Sequence, residues 1–201
     1  MKRFIACLLA LLLACTACTA PPASAPETRV LFVGNSLVYV GNAPAVYAAL
    51  ATANGHPTRA DMIVRGGATL TQRLEDGSVA RALAGGDYDV LVLQERGGDL
   101  MCGFGPDACE ASQDAIAGLV TLARQHGVRP VLLGTYQPNP GASRRLVAAE
   151  AAAARAAGID YIEVSETLAG LRQRHPDLAW FDADGMHPGR DLALLNAVQL
   201  H

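Results

Sequence analysis

Short apolar runs recur along this chain, and each stops at a glycine or a polar pair. Val30–Val33 (VLFV) runs into Gly34-Asn35-Ser36, Asp89–Leu93 (DVLVL) into Gln94-Glu95, and Pro130–Gly134 (PVLLG) into Thr135-Tyr136. Runs this short and this rich in β-branched residues predict buried strands. Thr58–Val64 predicts a less buried strand that closes in Gly66-Gly67, and Tyr161–Val164 a fifth. Between them the apolar period lengthens to that of helices. Ala43, Val46, Tyr47 and Leu50 follow an i, i+3, i+4, i+7 pattern behind Asn42, with Pro44 in the first turn and Gly55 at the close. A short helical piece, interrupted near Gly77, precedes Asp87. Ser112 predicts the cap of a helix with Ile116, Leu119, Val120 and Ala123 on one face, ending at Gly127. Ser143 opens an alanine-rich helix that stops at Gly158. Ser165 caps another that ends before Pro176, and a last helix starts near Arg190. Arg96 to Glu110 is left as a glycine-rich loop, longer than most connections.

Strands alternating with helices predict an α/β protein: a five-stranded parallel sheet covered on both faces, a three-layer α/β/α sandwich. A barrel typically needs about 250 residues, more than the body of this 201-residue chain offers. One domain, 29–201, is expected.

The first residues read differently. Lys2 and Arg3 precede an apolar run from Phe4 to Ala14 that is too short to span a bilayer. We read 1–18 as a secretory leader and 19–28 as a linker rich in small residues. Leu12-Leu13-Ala14-Cys15 looks like a bacterial lipobox, with Cys18 a second candidate for lipidation. Ordinary cleavage after Ala20 or Ala25 is the alternative. The expected location is therefore outside the cytoplasm, in the periplasm or cell envelope, with membrane attachment only through that anchor. Export would leave Cys102 and Cys109 in an oxidising compartment, which favours a disulfide between them. Six residues separate them, too many for a C-x-x-C redox motif, and no Cys or His cluster has zinc-ligand spacing. Without Lys2 and Arg3 the formal charge moves from 16 − 19 = −3 to 14 − 19 = −5. A mildly acidic domain with no basic run is a poor nucleic-acid partner.

The polar outliers fall where strands end: Ser36 after the first, Gly67 after the second, Gln94 at the third, and Asp184 with His187 beyond the fifth. In a parallel sheet the first three positions share one edge, the edge at which open α/β sheets bind ligands, and a loop after the last strand can bring Asp184 and His187 there. A serine hydroxyl needs a neighbouring base to become a nucleophile. Imidazole is suited to that task, and an aspartate three residues before it is close enough on a turn to hold its tautomer, as a triad requires.

Gly34-Asn35-Ser36, Gly67 and Asp184-Gly185-Met186-His187-Pro188, in that order, resemble the blocks of the SGNH (GDSL-type) hydrolase superfamily. The resemblance spans Arg29 to Pro188. It implies a flavodoxin-like fold, a Ser36–Asp184–His187 triad, and an esterase acting on O-acyl groups of carbohydrates, lipids or small esters without a cofactor or a metal. It further implies an oxyanion hole from the backbone N–H groups of Ser36 and Gly67. The family's third donor is usually the asparagine of Gly-x-Asn-Asp. This chain has Leu93-Gln94-Glu95 there, so the role passes to Gln94. Asn35, Glu95 and Tyr136 are candidates to line the substrate mouth, and Asp182 is the alternative carboxylate for His187. Two rival readings remain: a non-catalytic module that binds a glycan in the same pocket, and an O-acyltransferase. Phosphate-loop, dinucleotide and His-Glu-x-x-His motifs are absent from the sequence.

Overall fold

The computed structural model describes residues 26–201. The expected leader, Cys15, Cys18 and most of the linker lie outside the described residues. Five strands, β1 (Thr28–Gly34), β2 (Thr58–Val64), β3 (Val90–Leu93), β4 (Arg129–Leu133) and β5 (Asp160–Ile162), form one all-parallel sheet in the order β2-β1-β3-β4-β5. Eight helices connect and cover them: α1 (Ser36–Tyr39), α2 (Ala43–Ala53), α3 (Leu70–Glu75), α4 (Ser78–Gly85), α5 (Pro106–Gln125), α6 (Pro140–Ala157), α7 (Ser165–Arg174) and α8 (Arg190–Leu200). Among the described residues, no helix is long and apolar enough to cross a membrane.

The continuous apolar character of the strands follows from burial on two sides, because successive side chains point to opposite faces. Leu31, Val33, Leu91, Leu93 and Leu132 pack with Leu70, Val79, Leu83, Ile116, Leu119 and Ala153 from α3 to α6. Val30, Phe32, Val92, Val131 and Leu133 pack on the other face with Val38, Leu168, Trp180 and Leu192. The result is the three-layer sandwich that the alternation predicts. Strand β1, between β2 and the central β3, ends against β3 so closely that a Cβ on Gly34 would stand 2.8 Å from the carbonyl of Gln94. Only glycine lets the two strand ends converge there.

Three helix starts differ from expectation, each for a local reason. α5 begins at Pro106, six residues before Ser112, with proline and Asp107 in its first turn. Both favour a helix start. Ser112 is buried inside it and donates to Glu95 instead of capping. α6 begins at Pro140, capped by the Asn139 side chain, which accepts from Gly141 and Ala142 N–H. Ser143 sits one turn in and hydrogen-bonds Ser165 Oγ at 2.8 Å. α7 receives its cap from Glu163, whose carboxylate accepts from the N–H groups of Glu166 and Thr167, so Ser165 lies within the helix. β5 correspondingly ends at Ile162, short of the Val164 that the apolar run suggests. Cys102 and Cys109 are joined by a disulfide with Cα atoms 4.7 Å apart. It ties the loop after β3 to the first turn of α5.

Candidate active site at the carboxyl edge of the sheet

In the order 2-1-3-4-5 the connections leave β1 and β3 in opposite directions, and ligands bind at the carboxyl ends beside that switch point. The widest of the described cavities opens at this edge. It has a volume of about 760 Å³ and is lined by Asn35, Ser36, Leu37, Gly67, Tyr136 and His187 among others. Smaller cavities of about 310 and 420 Å³ lie at the opposite edge, around Arg129 and Asp160.

Ser36 is the first residue of α1, directly after the β1 turn, and half-buried. Asn35 fixes that turn. Its Oδ1 accepts from Leu37 N–H at 3.0 Å, and its Nδ2 donates to the carbonyl of Ala68 at 3.3 Å. This second bond joins the turn after β1 to the turn after β2, which carries Gly67. Gly67 has φ of +68°, a conformation that favours glycine. Among the described residues, neither the Ser36 N–H nor the Gly67 N–H has a hydrogen-bond acceptor. Two backbone donors at the serine thus remain available to an incoming oxygen.

Asp184 and His187 arrive on the loop between α7 and α8. The strand-like bridge of Phe181 with Pro188 closes its base, and Asp182 N–H donates to the carbonyl of His187 at 2.9 Å. Within the loop the Asp184 carboxylate accepts from Met186 N–H and His187 N–H, both at 2.9 Å, and pairs with His187 Nδ1. These contacts, led by the imidazole, hold the Asp184 carboxyl at about 2, below the usual carboxylate range. Asp182, the alternative carboxylate, contributes its backbone to the loop; Asp184 is the one paired with the imidazole. With Nδ1 committed to Asp184, Nε2 is the ring nitrogen left without that partner.

Two expected site residues are not brought to the cavity. Gln94 is buried, and its Nε2 donates to the carbonyl of Gly134 at 3.0 Å while its Oε1 has no partner. One of its two amide N–H donors joins β3 to β4, and the side chain does not line the cavity, so the donors that do line it at Ser36 are the two backbone N–H groups. Glu95 is also buried rather than at the substrate mouth. Its carboxylate accepts from Leu70 N–H (3.1 Å), Arg96 N–H (2.9 Å) and Ser112 Oγ (2.7 Å), which ties α3 and α5 to the end of β3. Burial pushes this carboxyl up from its ordinary range. A carboxylate this enclosed serves the scaffold because its oxygens are already filled.

Tyr136 does line the cavity, and its hydroxyl donates to the carbonyl of Met186 at 2.6 Å. The remaining lining includes residues that no sequence signal marked: Phe104 on the disulfide loop, Arg172 on α7, and Phe181. Periodicity places Arg172 on a helix but says nothing of what that helix faces. Among the described residues, no three His, Cys, Asp or Glu side chains gather closely enough to hold a metal ion.

No protein-family model matches the chain, and no curated protein matches its sequence. Solved structures do. A candidate SGNH hydrolase from Slackia heliotrinireducens is 26% identical, with a TM-score of 0.70 over 87% of this chain and 97% of that one. TesA is 18% identical (TM-score 0.67, covering 86% and 96%), and an acetylxylan esterase from Geobacillus stearothermophilus is 14% identical (TM-score 0.64, covering 86% and 92%). The last two, at such low identity, speak for the fold alone. Fold and structural likeness together place the chain among the SGNH-type hydrolases.

Proposed function

We propose that this protein is a serine esterase that cleaves carboxylic O-acyl bonds through an acyl-enzyme on Ser36. The observation that carries the proposal is that Ser36 and His187 line one cavity while Asp184 occupies the other side of the imidazole. His187 Nε2 removes the hydroxyl proton as Ser36 Oγ attacks the ester carbonyl, and the N–H groups of Ser36 and Gly67 receive the charge that develops on its oxygen. The same proton then passes to the departing alkoxide. Water, deprotonated by His187, attacks the acyl-Ser36 ester, and the carboxylic acid leaves as the proton returns to Ser36. The structural neighbours include esterases, which supports ester substrates as the class. The amino-terminal pattern of residues 1–18 supports an exported, lipid-anchored setting.

Ser36→Ala is expected to abolish hydrolysis of a chromogenic short-chain ester without changing the melting temperature. A fluorophosphonate probe should label the wild type and fail to label the variant. Turnover that survives in Ser36→Ala would refute the assignment, and an unlabelled wild type would favour a glycan-binding module.

A further inference from the structure

The residues lining the cavity beside Ser36 include two arginines and no carboxylate, although the domain as a whole is acidic. The two arginines differ. Arg96 is neutralised by Asp99, which takes bonds from its Nε (2.9 Å) and its terminal nitrogen (2.6 Å). Arg172 has neither an ion-pair partner nor a hydrogen bond among the described residues; its guanidinium lies over the Phe181 ring, 4.8 Å from the centroid. Stacking uses the flat face of the guanidinium and leaves its in-plane N–H donors open. A small side pocket, shared by Arg172, Phe181, Tyr136, Gln137 and Ser165, continues from the main cavity at this point. Nearby carboxylates are already engaged: Asp184 by His187, and Glu166 by Ser143.

We infer that Arg172 is a specificity residue for esters that carry an anionic group, a carboxylate or a phosphate, elsewhere in the molecule. The apolar rings hold the carbon skeleton, and the open edge of the guanidinium takes the anion in paired hydrogen bonds. The inference rests on the hydrolase reading of the same cavity.

Three matched pairs test it: para-nitrophenyl butyrate against mono-para-nitrophenyl succinate, ethyl acetate against O-acetylglycolate, and 2-acetoxyethanol against 2-acetoxyethyl phosphate. The first pair puts a carboxylate on the acyl side, the second puts one on the alcohol side, and the third puts a phosphate there. In at least one pair the wild type should prefer the anionic ester by kcat/KM. Arg172→Gln should lower that preference about tenfold, the scale of a hydrogen bond to a charged group, and Arg172→Lys should keep part of it. Added salt should weaken the preference in the wild type. A preference unchanged by Arg172→Gln in all three pairs would overturn the proposal while leaving the esterase reading intact. If none of the six esters is turned over, the esterase reading fails, and binding decides the proposal. Calorimetry of the three anionic esters on Ser36→Ala should then show at least one binding about tenfold more weakly once Arg172→Gln is added. Equal binding of all three would overturn it.

Discussion

Tyr136 illustrates how much of the site depends on single contacts from outside it. It stands two residues beyond the Gly134 carbonyl that receives Gln94, and its hydroxyl donates to Met186 in the loop that presents His187. Its ring lies 5.5 Å from that of Phe181 at the base of the same loop. Burial, and then the negative charge of Asp184, push its phenol above the ordinary range, so the group remains a donor at neutral pH. Tyr136→Phe keeps the ring and removes one hydrogen bond, about 1 kcal/mol. We expect kcat for a neutral ester to fall roughly fivefold with KM nearly unchanged, because the loop that carries the base is less well held. A variant with wild-type kcat would show that the hydroxyl does not position the loop. Asp184, by contrast, stays ionised down to about pH 2, so any loss of activity on mild acidification has another origin.

At the scale of elements, the end of β4 is held by a carboxyl on the next helix. Glu150 lies on the buried side of α6, where Leu146, Ala153 and Ala154 are its neighbours in the helical pattern. Its oxygens accept from Thr135 N–H (2.9 Å), Thr135 Oγ1 (2.8 Å) and Tyr161 Oη (2.8 Å), linking α6 to the ends of β4 and β5. Burial raises this carboxyl to about 7. Between an unfolded value of about 4.5 and that folded value, the native state holds a proton that the unfolded chain has released. The group therefore stabilises the fold below about pH 4.5, and this contribution is lost as pH rises through about 7. Glu150→Gln mimics the protonated form, and its melting temperature should fall less than that of the wild type across this window. Parallel curves would mean that Glu150 does not titrate there. A polar residue on the apolar stripe of a helix is visible in the sequence, and it was the available signal for this network. Which strand ends would receive its bonds was not visible, since Thr135 and Tyr161 reach it only through the sheet.

Across the whole molecule, the cavity is walled by segments far apart in the chain, and the disulfide loop is one of them. Phe104 is exposed on that loop, and Arg96 stacks over its ring 4.5 Å from the centroid. A closed loop this short contributes about 2–3 kcal/mol in the chain-entropy account. Reductant, or the Cys102→Ser/Cys109→Ser pair, should thus lower the melting temperature by about 5–10 °C. A melting curve indifferent to reductant would argue that the linkage does not form or does not matter.

Alternation of apolar runs with helical periodicity was enough to determine five strands, a parallel sheet and its coverage on both faces. Such patterns record burial, and burial on two sides leaves little choice of architecture. The positions of Ser36 and Gly67 were legible because turn and polar residues at strand ends stand out against apolar neighbours, and those of Asp184 and His187 because an aspartate three residues before a histidine suits a turn. The sequence could not determine how the amides, carboxylates and guanidinium groups were shared out. Gln94 and Glu95 carry the same polar character as a site residue, yet Gly134, Leu70 and Ser112 claim them once the sheet closes. Arg172 is an exposed residue, as its type suggests, but only the packing of α7 sets it over Phe181 at the cavity. A hydrogen-bonding group takes whichever partner the packing brings within about 3 Å, and only the tertiary structure decides which partner that is.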